Sequence, residues 1–158
     1  MIHPLYEGSF TVDESKKFIP YDSSKDKLGD RPASLLVDIV PFLIKTSTEL
    51  VVIDPGLGME SPNGDFQIHE NIRHHGFSPD EITMVLLSHL HKDHAGGICY
   101  GNNHAFNLMF PKAKYFCQQK ELEFAFTKKN SMSYNFDKLE FLQHSLNLKF
   151  LNRDGNIN

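Results

Sequence analysis

Ser88-His89-Leu90-His91-Lys92-Asp93-His94-Ala95-Gly96-Gly97 follows directly on the apolar stretch Met84-Val85-Leu86-Leu87. This arrangement constrains the chain more than any other feature. A buried strand has to end where three imidazoles and a carboxylate begin, and the Gly-Gly that follows allows a tight return of the backbone. Imidazole nitrogen and carboxylate oxygen are ligands that zinc and related divalent ions accept in sites kept open for water. On an extended segment alternate side chains share a face, so His89 and His91 can bind one ion together. Asp93 and His94 are neighbours and would diverge on a strand, but a turn can aim both at a second ion. The spacing therefore suits two adjacent sites better than one four-ligand cage. Surface histidines in a polar loop would explain any one of these residues, but not the whole pattern between a buried strand and a glycine pair.

The rest of the chain reads as one mixed α/β domain over residues 1–158. It is long enough to bury a core, with 40% hydrophobic and 23% charged residues. The net charge of -4 and the absence of a Lys/Arg stripe argue against nucleic acid as a partner. No apolar run approaches the roughly 18 residues of a membrane span, and the N-terminus lacks a signal-peptide pattern, so a cytoplasmic setting is expected. Cys99 and Cys117 read as two reduced, buried thiols.

The pattern predicts an edge strand over Leu5–Val12 and a polar loop over Asp22–Pro32. Leu35–Ile44 reads as one strand kinked at Pro41 or as two short strands. A turn at Thr46–Glu49 leads into a strand over Leu50–Ile53 that stops at Asp54-Pro55-Gly56-Leu57-Gly58. A helix is predicted over Phe66–His75 with Gly76 as its stop, then a short helical start at Ser78–Glu81 and a strand over Thr83–Leu87. A loop at Gly101-Asn102-Asn103 precedes a strand over Ala113–Cys117. Helices over Gln119–Phe126 and Asp137–His144, a strand over Leu146–Leu151 and a turn at Asp154-Gly155 complete the chain. His69, His74 and His75 read as surface residues of the first helix.

His89-Leu90-His91-Lys92-Asp93-His94 resembles the signature motif of the metallo-β-lactamase superfamily. Ser88 and Ala95-Gly96-Gly97 resemble the flanks found in its lactonase-like branch, and Asp54-Pro55-Gly56 resembles the Asp-x-Gly turn beneath that family's site. The resemblance implies an αββα sandwich and a hydrolase with two metal ions, usually zinc. Carried over, His89 and His91 bind the first ion, while Asp93 and His94 bind the second. Asp93 would also handle the proton of the attacking water, and Lys92 would be a solvated cation near the mouth. Hydroxide made at such ions would open a lactone, thioester or other activated ester, a small-molecule substrate.

The same pattern calls for a further histidine, a bridging aspartate and a final histidine downstream. The chain ends at Asn158 about where the strand leading to the first of these is expected. His104 and His144 are the nearest substitutes, and neither has the strand-end setting of the pattern. The resemblance therefore implies that this chain supplies roughly the N-terminal half of the fold. Apolar faces of strands such as Leu50–Ile53 and Met84–Leu87 would then lack cover, and self-association or a partner chain is expected there. The alternative to a hydrolase is an inactive fragment or interaction module that retains the motif. A redox relative is disfavoured, because that branch tends to carry glutamate where His91 stands.

Overall fold

The computed structural model describes residues 1–102 and 105–151. Eleven strands and four α-helices are described: β1 Ile2–Pro4, β2 Gly8–Val12, β3 Phe18–Pro20, β4 Leu35–Ile39, β5 Phe42–Lys45, β6 Leu50–Ile53, α1 Gln67–His74, β7 Met84–Leu86, α2 Lys92–Ala95, β8 Cys99–Tyr100, β9 Asn107–Leu108, β10 Lys114–Gln118, α3 Gln119–Thr127, α4 Phe136–Gln143 and β11 Leu148–Leu151. The main sheet runs β1-β5-β6-β7-β10-β11, and smaller sheets run β3-β2-β4 and β8-β9. β1, β5 and β6 pair antiparallel, and β6, β7, β10 and β11 pair parallel.

The stretches predicted over Leu5–Val12 and Leu35–Ile44 bend at the same place. Leu5 and Glu7 donate their N–H groups to Pro41 and Ile39 at 2.7 and 2.9 Å, opposite the point where Pro41 breaks the second stretch. The bend divides one antiparallel ladder between two sheets. The predicted edge strand is thus two strands: β1 is an edge strand of the main sheet, whereas β2 is the central strand of the small one. The proline-marked segment is two strands, β4 and β5, also in separate sheets.

Parallel pairing of β6 with β7 requires a crossover, which α1 supplies. Ile68 and Ile72 are its buried face, and Gly76 takes φ +84 as the chain leaves it. Ser78 and Glu81 form a reciprocal cap on the short helical turn that leads to β7. The register aligns Leu43, Val52, Val85 and Tyr115 on one face of the sheet, all fully buried. They form a single core with Ile68, Ile72, Leu122, Ala125, Leu139 and Leu142, so α1, α3 and α4 contribute to one hydrophobic cluster. This is a mixed α/β arrangement, as the sequence predicts.

The opposite face is also apolar but only partly covered. Ile2, Ile44, Val51 and Met84 make one row, and Phe42, Ile53, Leu86 and Phe116 the next. Ile2 is 64% and Phe42 42% exposed, while Val51 and Phe116 are buried. Cys99 and Cys117 are free and buried, and burial pushes both thiols up to about 11. Among the described residues no helix is long and apolar enough to cross a membrane.

At the core centre the Tyr115 hydroxyl accepts the Phe110 N–H at 3.0 Å and donates to the Ile98 carbonyl at 3.2 Å. Tyr115→Phe strands the Phe110 N–H, while the Ile98 carbonyl keeps the Met109 N–H at 3.0 Å, and denaturant unfolding should show a loss of about 1–3 kcal/mol.

Candidate metal centre

Three parallel strands end at one edge of the sheet, and each delivers part of the site there. The register places Ile53 opposite Leu86, so the first residues beyond β6 and β7 lie side by side. These are Asp54 and the segment that opens the histidine loop. β10 runs straight into α3, which carries Glu121. Sites at the carboxyl ends of parallel strands follow from this geometry, because successive loops converge there.

Asp54 links the two loops. Its backbone is left-handed at φ 49, just before Pro55, a conformation an aspartate tolerates when its side chain is held. Ser88 donates its N–H to Oδ1 at 2.8 Å and its hydroxyl to Oδ2 at 2.6 Å, and His94 Nδ1 lies 3.0 Å from Oδ2. Counting protons settles two tautomers. The Nδ1–H of His94 donates to Asp54, which leaves Nε2 with its lone pair. The one Ser88 hydroxyl proton is committed to Asp54, so His89 Nδ1, 3.1 Å from that oxygen, must donate to it. His89 likewise presents Nε2 as the free nitrogen. His94 is backed directly by a carboxylate and His89 by the serine hydroxyl that bonds to it, the kind of support that gives a metal ligand orientation and basicity.

Electrostatics favour the neutral ring at His89 and the protonated ring at His94, so an ion at His94 would have to displace a proton. Burial lowers the pKa of His89, and the neighbouring His94 and His91 lower it further, so it stays neutral. The hydrogen bond to Asp54 raises that of His94 against its burial. Burial pushes the Asp54 carboxyl up, but hydrogen bonds from His94 and Ser88 together outweigh this and hold it below the ordinary range.

The histidine loop departs from an extended hairpin. His89 and His91 flank the buried Leu90, and Lys92–Ala95 closes into one helical turn, α2. The turn brings His94 back under His89, with ring centroids 4.0 Å apart, while His89 and His91 are 4.8 Å apart. Asp93 Oδ2 lies 3.6 Å from His94 Nε2. His89 thus neighbours both His91 and His94, and Asp93 lies beside His94. Lys92 is half-buried, with Nζ 6.0 Å from the centre of the Phe18 ring, not a freely solvated cation. A cleft of about 370 Å³ opens beside Asp93 and His94, walled by Val37, Ile39, Pro41, Phe42 and Ile53.

Other histidines have structural partners. His69, predicted at the surface, is half-buried, with Nε2 3.2 Å from the Met109 carbonyl and Nδ1 3.5 Å from Asp65. His144 Nδ1 lies 2.8 Å from the Glu140 carbonyl within its own helix. Tyr100, from the loop after the motif, packs on Phe66 at 4.9 Å. Asn103, His104 and Asp154-Gly155 lie outside the described residues.

Three anchors had no signal in the sequence. Glu121 accepts the Leu90 N–H at 3.0 Å, between the two histidines. The Ser133 carbonyl accepts the Lys92 N–H at 2.8 Å, and the Tyr134 ring sits 4.8 Å from His91. A lone glutamate on an amphipathic helix reads as solvated, and only the register of β10 brings Glu121 here.

The donor types, imidazole nitrogen with an adjacent carboxylate oxygen, fit a borderline divalent ion. As placed, they form pairs. No three His, Cys, Asp or Glu side chains among the described residues are grouped to hold an ion.

Close packing of glycines joins the two loops. Gly97 donates its N–H to the Gly56 carbonyl at 2.9 Å, and a Cβ on Gly97 would run into the Pro55 carbonyl oxygen. Gly97→Ala should cost about 1–3 kcal/mol in thermal unfolding. Gly29→Ala, which meets open space, should change stability by less than about 0.5 kcal/mol.

Residues 37–100 match the model of the metallo-beta-lactamase superfamily. The N-acyl homoserine lactonase AttM of Rhizobium johnstonii is 35% identical over 77 residues, which is 49% of this chain and 26% of that protein. AidC, a dizinc quorum-quenching lactonase solved with a product, superposes with a TM-score of 0.69 at 22% identity, over 99% of this chain and 59% of that one. A probable metal-dependent hydrolase from Staphylococcus aureus gives a TM-score of 0.64 at 20% identity, over 97% and 59%. The chain thus spans about three-fifths of these solved structures, and its match to the curated relative spans about a quarter of that protein. Over residues 37–100 the chain is thus similar to the metallo-beta-lactamase superfamily, and its fold is that of part of the lactonase structures it superposes on.

Proposed function

We propose that the chain is the motif-bearing part of a metal-dependent hydrolase acting on a lactone, thioester or other activated ester. The observation that carries this reading is the Asp54-Ser88 bridge, which sets His89 and His94 with Nε2 free at a sheet edge. His89 and His91 would hold one ion, and Asp93 and His94 a second beside it, with zinc as the metal by analogy with the dizinc relative. A bound divalent ion supplies Lewis acidity and lowers the pKa of water. Asp93, half-buried beside the cleft, would accept a proton from attacking water. Asp54 keeps His94 in one tautomer, and the apolar wall of Val37, Ile39 and Phe42 would take the acyl part of the substrate while limiting water. Further ligands come from outside the four motif residues. In the same reading a second copy or partner chain covers the half-exposed apolar face, and two free buried thiols suit a reducing cytoplasm.

The absence of any three-donor group among the described residues favours a second reading, in which the motif is kept by a non-catalytic fragment or interaction module. Zinc-loaded and chelator-stripped protein should be compared for hydrolysis of an N-acyl homoserine lactone and of a thioester. The hydrolase reading predicts chelator-sensitive turnover that falls about 100-fold in His91→Ala and in Asp93→Asn. Zinc uptake without turnover establishes the second reading, and neither uptake nor turnover contradicts the first.

A further inference from the structure

Glu7 lies on the bend between β1 and β2, far in sequence from the histidine loop, and is only 8% exposed. A buried carboxylate is costly unless something specific compensates it. Here its two oxygens accept the N–H groups of Leu57 at 2.7 Å and Met59 at 2.9 Å. Both belong to the turn that starts at Asp54 and passes through Gly56 and Gly58, each at φ +72. This turn presses on the end of the histidine loop: a Cβ on Gly58 would lie 2.9 Å from Gly97 Cα and 3.0 Å from the Gly96 oxygen. On the other side of the contact Lys138, half-buried on α4, donates its ammonium to the Gly96 carbonyl.

We propose that Glu7 and Lys138 are positioning residues that clamp the Asp54 turn onto the histidine loop from opposite sides, and so fix His94 for its ligand. The part concerning the ligand rests on the metal reading above; the clamp itself does not. Burial pushes the Glu7 carboxyl up and the Lys138 ammonium down, and the attraction between their charges opposes both shifts. Two costly burials meet at one loop contact. Neither side chain forms part of the motif or of the cleft beside it. Their shared effect is on where Asp54 and His94 stand.

The test uses the 158-residue chain, labelled with 15N, and hydrogen exchange read residue by residue without metal. Glu7→Gln keeps the side-chain size but turns one acceptor into a donor facing a backbone N–H. Exchange at Ser88, whose amide is held by Asp54, and at Gly97 should quicken about tenfold, with Val52 and Val85 unchanged. Lys138→Met should give the same pattern from the other side, and it carries the test alone if Glu7→Gln does not fold. Zinc affinity, measured by competition with a chromophoric chelator, should fall about tenfold in both variants. Faster exchange confined to Leu57 and Met59, or a uniform rise across the core, overturns the clamp. If the unsubstituted chain takes no zinc, the metal reading fails, while the exchange pattern still decides the clamp.

Discussion

The bond set of the Asp54 carboxylate is the constraint on which the site depends. One side chain spans the ends of two parallel strands and holds the loop backbone at Ser88, the Ser88 hydroxyl and the His94 ring together. Because the serine has a single hydroxyl proton, the same set also decides which nitrogen of His89 is free. Without this carboxylate the adjacent imidazoles would be free to rotate and change tautomer, and the donor pairs would lose their common direction. The left-handed backbone at Asp54 follows from the same requirement, since the chain has to turn sharply at the end of β6 to bring the carboxylate under the next strand.

Around this bridge the loops are held by backbone contacts more than by side-chain packing. Gly56, Gly58, Gly96 and Gly97 allow the two loops to meet main chain to main chain. Ionisable side chains from three separate elements then take up backbone groups at the edges of that contact: Glu7 from the bend after β1, Glu121 from α3 and Lys138 from α4. The histidine loop is thus hydrogen-bonded at Leu90 and Lys92, the positions between its donors, as a preorganised site requires.

Much of this was legible before the structure. The strands ending at Asp54 and Ser88 showed in the sequence because continuous apolar runs stop at Pro-Gly and His-rich chemistry. Gly76 and Ser78-Pro79 marked the boundaries of the crossover because they act locally. β3 escaped notice because three residues ending in proline carry no period, and α2 did because four residues are too few for one. Leu5–Glu7 read as strand because the alternation continues through the bend, where the pairing partner and not the local pattern changes. Glu7, Glu121 and Lys138 could not be read as site residues, since their roles arise only from contacts across 50, 31 and 42 positions of chain.

The most direct test of the central claim, that Asp54 and Ser88 set His89 and His94 with Nε2 free at the motif, is a zinc titration followed by 15N NMR of the imidazole nitrogens. The account predicts that the Nε2 signals of His89 and His94, and one ring nitrogen of His91, shift together while His69 and His144 stay in place. Shifts led by the histidines of α1, or no shift at the motif, would contradict it.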